Sequence, residues 1–178
     1  MISRNKVLAI CGSTRQNSSN LILIKAIAEL FSVELDVKIF EGLSELPHFN
    51  PDLDNINPPK EVADFRGELT GADGILICTP EYAMGVPGTL KNAIDWTVSS
   101  GEFSHKPVAL ITASSGGQRG HLNLLGTLKI IESNIPFDSQ LLISYVRTKV
   151  SSEGKITDGQ TLEQVKKLVI SLVNCIPK

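Results

Sequence analysis

Long apolar runs are missing from this chain. Near the N-terminus the only one is Val7–Cys11, whereas a secretory signal needs about 7–15 apolar residues and a membrane helix about 20. A soluble, cytoplasmic protein with no membrane partner is expected. Cysteine is scarce too. Cys11, Cys78 and Cys175 are odd in number, far apart and free of any CxxC or zinc-type spacing. They suggest neither a disulfide framework nor a metal site, and read as free thiols of a reducing compartment. Neither sign of charge dominates. Lys plus Arg number 17 and Asp plus Glu 19, a formal net charge of −2 with no basic block. That balance argues against nucleic acid or an anionic membrane surface. Nor is the composition that of a disordered chain: 42% of the 178 residues are hydrophobic and 20% charged, enough for one domain over 1–178.

What is present alternates between two periods. KVLAIC (6–11), VELDVKIF (33–40), GILICT (74–79), PVALITA (107–113) and QLLISYV (140–146) read as strands. The first, third and fourth are nearly continuous apolar runs, as in a parallel sheet covered on both faces. The second alternates Val33, Leu35, Val37 and Ile39 with charged residues, which suits an edge. Helical spacing follows over 19–31, 60–70, 87–99, 120–133 and 159–175. Five right-handed βα units predict an α/β fold with helices on both faces. Its doubly wound, five-stranded parallel sheet is flavodoxin-like, in the order 2-1-3-4-5. The segment 41–59 is long and irregular, with four prolines, and reads as either a functional loop or a covering flap. His48 within it reads as a surface residue.

Ligands of such sheets bind beyond the carboxyl ends of the strands, where the winding reverses. The loops after Cys11, Thr79 and Ala113 are therefore decisive. In the first, Gly12 allows a tight turn. Ser13, Thr14, Arg15, Ser18 and Asn20 can all donate hydrogen bonds, and a helix starting near Ser18–Ser19 adds free N–H groups and its positive dipole end. A cap needs one hydroxyl; it accounts for neither the other donors nor Arg15. The loop reads as an anion site, most naturally for phosphate. The second, TPEYAMGVPGTLKNAIDW (79–96), is a rigid turn presenting Glu81 and Tyr82 beside a flat ring. The third, TASSGGQRG (112–120), can approach a ligand through its backbone.

Several phosphate sites do not match. There is no GxxxxGK[ST], and of GxGxxG only Gly12 is present. A receiver domain would place acidic residues after the first strand, and none stands there. A small tyrosine phosphatase needs Cys-x5-Arg, but six positions after Cys11 stands Asn17, with Arg15 two residues early. Cys11 thus reads as a strand residue.

The chain resembles the NADPH-dependent FMN reductase family, which includes quinone-, azo- and chromate-reductase-like flavoproteins. GSTRQNSSN (12–20) is similar to its GSxRxxSxN loop, and 79–96 to its PEYNxxxPGxLKNAIDW signature. SSGGQRG and the late EGKITDGQTLEQVKKLV also resemble family segments, so the likeness spans the chain. The resemblance implies FMN as cofactor, with its phosphate held by Ser13, Arg15, Ser18 and Asn20 and by Ser19 at the helix start. Pro80, Glu81, Tyr82 and the backbone of Ala83 would line the isoalloxazine, and Ser114, Ser115, Gly116 and Gly117 would close over it. Ala83 departs from the Asn usual there, so a side-chain amide contact to the flavin is expected to be lost. NADPH or NADH would donate hydride, and a flavin, quinone or azo compound would follow in the same space by double displacement. No side chain is expected to act as nucleophile or general base. A homodimer or homotetramer is implied, with Trp96 and Val98 as candidate contacts. The alternative is a non-enzymatic electron carrier or redox-sensing module, which would not oxidise NAD(P)H with a dye.

Overall fold

The computed structural model describes residues 4–151 and 153–177. Five parallel strands, β1 (Asn5–Cys11), β2 (Leu35–Ile39), β3 (Gly74–Thr79), β4 (Val108–Ser114) and β5 (Gln140–Ser144), form one sheet in the order β2-β1-β3-β4-β5. Five helices connect or follow them: α1 (Ser19–Leu30), α2 (Lys60–Gly71), α3 (Gly88–Asp95), α4 (Gln118–Ile130) and α5 (Gly159–Cys175).

Strand alternation splits the core in two. Leu8, Ile10, Ile75, Ile77, Val108 and Leu110 face α2, α3 and α4, meeting Phe65, Leu69, Leu90, Ile94, Leu124 and Leu128. Val7, Ala9, Leu76, Ala109, Ile111 and Ile143 face α1 and α5, meeting Leu23, Ile24, Ile27, Val165, Leu168 and Leu172. The central strands are apolar throughout because both faces are covered. Their register aligns the carboxyl ends: Cys11 pairs with Cys78, Thr79 with Thr112 and Ser114 with Ser144.

Several element ends differ from expectation, α4 among them, which spans Gln118–Ile130 rather than 120–133. β2 begins at Leu35, because the N–H groups of Glu34 and Leu35 both donate to the Phe31 carbonyl and close a turn that leaves Val33 exposed. β5 stops at Ser144, since Tyr145 turns left-handed at φ 55° and Val146–Thr148 forms a 3₁₀ turn. α3 ends at Asp95 rather than continuing to 99.

The flap is bound to α3 by side chains. Asn92 Nδ2 and Trp96 Nε1 both donate to the Pro47 carbonyl, at 2.9 and 2.8 Å, and Asn92 Oδ1 accepts from the Phe49 N–H at 2.7 Å. Further along, Arg66 pairs with Asp54 at 2.6 Å and donates to the Trp96 carbonyl. Trp96 is fully buried within its own subunit, which removes it as a dimer contact; Val98 is exposed. His48 is exposed as well. Among the described residues, no helix is long and apolar enough to cross a membrane.

Candidate functional site

Four loops converge at the carboxyl rim and enclose a cleft of about 460 Å³. It is lined from the first loop by Ser13, Arg15, Ser18, Ser19 and Asn20. From the second come Pro80, Glu81 and Tyr82, and from the third Ala113, Ser114 and Ser115. The fourth wall, Tyr145 to Thr148, follows β5. Most of the residues singled out from the sequence therefore meet around one space. Ala83, Gly116 and Gly117 do not line it.

The first loop gathers hydroxyls and free N–H groups at the start of α1. Ser18 caps α1, its Oγ accepting from the Asn20 N–H at 3.2 Å. Ser13 Oγ accepts from the Arg15 N–H at 3.4 Å, which curls the loop over the helix start. First-turn N–H groups of a helix lack internal partners and carry the positive dipole end. Gly12 also makes room for the neighbouring strand. A Cβ there would stand 2.2 Å from Thr79 Oγ1, so the glycine lets β3 pass directly beneath the loop.

Asn20 is buried, and its side chain is already engaged. Nδ2 donates to the Ala113 carbonyl at 3.2 Å, and Oδ1 accepts from the Cys78 S–H at 3.3 Å. It ties the start of α1 to the ends of β3 and β4. Glu81 also acts as a brace. Its Oε2 accepts from the Gly120 N–H at 2.7 Å in the first turn of α4, whose own cap, Gly117, supplies no side chain. A carboxylate is favoured at that end of a helix. Gly117 has φ 110°, and a Cβ there would meet Leu142 at 2.8 Å. Ser144 Oγ donates to the Gly116 carbonyl at 3.1 Å, so β5 supports the third loop from behind.

The electrostatics follow. Arg15 and Arg147 line the cleft, and Glu81, the acidic residue among the lining, is held by the Gly120 N–H. The balance is positive beside α1. Tyr82 and Tyr145, 48% and 69% exposed, supply aromatic surface at the mouth. A phosphate ester and a flat ring would thus each meet matching chemistry. Cys11 is unsuited to nucleophilic attack: burial raises its thiol pKa, and its S–H donates to the Ser13 carbonyl.

The profile of the family described as NADPH-dependent FMN reductase matches residues 5–147. The chain belongs to this family. The NAD(P)H-dependent FMN reductase PA1204 of Pseudomonas aeruginosa is 30% identical over 172 residues, 94% of this chain and 92% of that one. The NADPH azoreductase of Bacillus sp. strain OY1-2 is 31% identical, covering 94% and 88%. Among solved structures, the flavoenzyme NAD(P)H:(acceptor) oxidoreductase FerB of Paracoccus denitrificans superposes with a TM-score of 0.79 at 26% identity, covering 97% of each chain. The present chain is accordingly a flavin-dependent NAD(P)H reductase, with FMN as its cofactor.

Within this reductase the fourth wall escaped sequence reading. The strand pattern runs on through Val146, and only three rim loops were expected to matter. The rule that placed those three at the rim also applies to the end of β5.

Ala83 has a backbone explanation. Tyr82 and Gly85 exchange two hydrogen bonds of 2.9 Å around a two-residue turn, in which Ala83 and Met84 have φ 49° and 63°. Such turns favour Asn where φ is positive, so the family's Asn suits the turn. Ala83→Asn is expected to stabilise the protein by up to about 1 kcal/mol in urea unfolding, with FMN affinity changed less than about twofold. No gain in stability, or FMN affinity raised tenfold, would return position 83 to direct flavin contact.

Proposed function

We propose that the cleft holds FMN with its phosphate at the start of α1 and its ring between the Pro80–Tyr82 turn and the loops after β4 and β5. The observation that carries this reading is the pairing of Arg15, Ser18 and the free end of α1 with aromatic surface in one cleft. Ser13, Ser18 and Ser19 offer hydroxyls, Arg15 and Arg147 offer charge, and Asn20 and Glu81 hold the loops in place. Ser114 and Ser115 line the cleft from the loop after β4, and Gly116 and Gly117 continue that loop.

When bound, FMN supplies the redox chemistry, taking hydride from a reduced nicotinamide and passing electrons to an acceptor. The chain's residues orient the ring, leave one face open and contribute no acid or base. The acceptor class proposed is flat and conjugated: a quinone, an azo compound or a free flavin. The aromatic mouth and the azoreductase relative support it.

The phosphate assignment is tested with Arg15→Ala. A charge-assisted hydrogen bond is worth about 1.5–3 kcal/mol, so FMN affinity is expected to fall about ten- to hundredfold while riboflavin affinity barely changes. Equal losses for both flavins would refute the assignment.

One open face implies that donor and acceptor visit in turn. With a quinone varied at several NAD(P)H levels, double-reciprocal plots are expected to give parallel lines. Intersecting lines and a ternary complex would rule out the shared space.

We further propose that the protein is a cytoplasmic homodimer, with its 178 residues acting as one flavin-binding unit. The three free thiols support the compartment. Exposed apolar side chains on the second loop and α4 support the dimer: Met84, Leu122 and Ile130 are all exposed, and Asn123 Nδ2 donates to the Met84 carbonyl at 3.0 Å, joining turn and helix. Sedimentation equilibrium is expected to give twice the chain mass; a monomer would exclude the dimer, and four times that mass would make it a tetramer.

A further inference from the structure

The phosphate loop has a second side. Behind it, between α1 and the end of β2, lies a separate hollow of about 250 Å³. Ser13 and Arg15 line both spaces, so the loop is a shared ridge. The hollow's apolar walls come from Cys11, Leu21, Ile39, Phe40 and Leu43. Its rim carries the cations Arg15 and Lys25, with Glu41 at the end of β2. Among the described residues, neither cation lies within ion-pair distance of a carboxylate. Lys25 and Glu41, set beside these apolar walls, lie outside the flavin cleft and are unused by anything derived above, while Arg15 is shared between the two spaces.

We propose that this hollow receives the adenosine end of NADPH, with Lys25 and Arg15 on its 2′-phosphate. The reading rests on the assignment of FMN to the main cleft. An aromatic base suits the apolar walls, among them the ring of Phe40, which is held by a tilted contact with Phe65 at 4.7 Å. A ribose hydroxyl suits Glu41 as acceptor. The extra phosphate suits Lys25, which has no other partner assigned, with the Arg15 guanidinium on the shared ridge beside it. The size fits part of a dinucleotide rather than a whole one. The shared ridge supplies continuity: a donor whose nicotinamide lies in the flavin cleft crosses at Ser13 and Arg15, and its far end comes down beside Lys25. The hollow would thus favour NADPH over NADH while leaving the flavin face to the acceptor.

Lys25 is exposed on α1 and outside the flavin cleft, so its replacement separates the two sites. Lys25→Ala is expected to raise KM for NADPH about tenfold relative to KM for NADH, and Lys25→Glu further. Isothermal titration of the holoenzyme supplies a readout other than activity. Adenosine 2′,5′-bisphosphate is expected to bind about tenfold more tightly than 5′-AMP, to lose that advantage in Lys25→Glu, and to compete with NADPH without releasing FMN. Equal binding of the two nucleotides, equal KM changes for both donors, or displacement of FMN by the bisphosphate would overturn the proposal. Should the protein not bind FMN at all, the cleft assignment fails instead. The same titration on the FMN-free protein then judges the hollow by itself, and the absence of a 2′-phosphate preference there overturns it.

Discussion

All five strands run in one direction, and each connection must therefore cross a face of the sheet before the next strand can start. That constraint fixes nearly everything else. It requires apolar side chains on both faces of β1, β3 and β4, supplied as Leu8 and Ile10 against Val7 and Ala9, or Ile75 and Ile77 against Leu76 and Cys78. It also gathers every strand-to-helix loop at one rim. Residues as far apart in sequence as Arg15 and Arg147 then face one cleft. The site is a product of the winding, and the loops only furnish it.

Those loops hold one another in position before any ligand arrives. Asn20 ties the first to the ends of the third and fourth strands, Glu81 ties the second to the helix after the third, and Ser144 supports the third from the fifth strand. Each contact uses a buried or half-buried polar group that would otherwise be left without a partner. The cleft is thereby shaped in advance, so less ordering would remain to be done on binding. Residues that look like ligand contacts in the sequence therefore divide by task. Arg15 and Ser19 line the cleft, and Ser13 and Ser18, whose oxygens each accept one backbone N–H, keep a hydroxyl proton to donate, while Asn20 and Glu81 give their polar atoms to neighbouring loops.

The strand order and three of the rim loops were legible because they rest on local signals: apolar runs of the right length, a run of donors before a helix, paired glycines after a strand. What stayed hidden rests on partners distant in sequence. Nothing near Gly12 announces Thr79 beneath it, and nothing near Glu81 announces the Gly120 N–H. The fourth wall was hidden because Tyr145 interrupts an apolar run by its backbone, at φ 55°, rather than by a glycine or proline. At position 83 the backbone supplies a reason for the family's Asn that a string of letters does not display, a positive φ.

The flap's attachment has an optical consequence. Trp96 is the only tryptophan in the chain, and its indole N–H is bound to the Pro47 carbonyl while its ring meets Phe49 edge-on at 5.0 Å. Its fluorescence therefore reports the release of segment 41–59 from α3 as well as the opening of the core in which the ring is buried. Compared with the circular dichroism of the helices during unfolding, that single emitter tells whether the flap lets go before the sheet does or together with it.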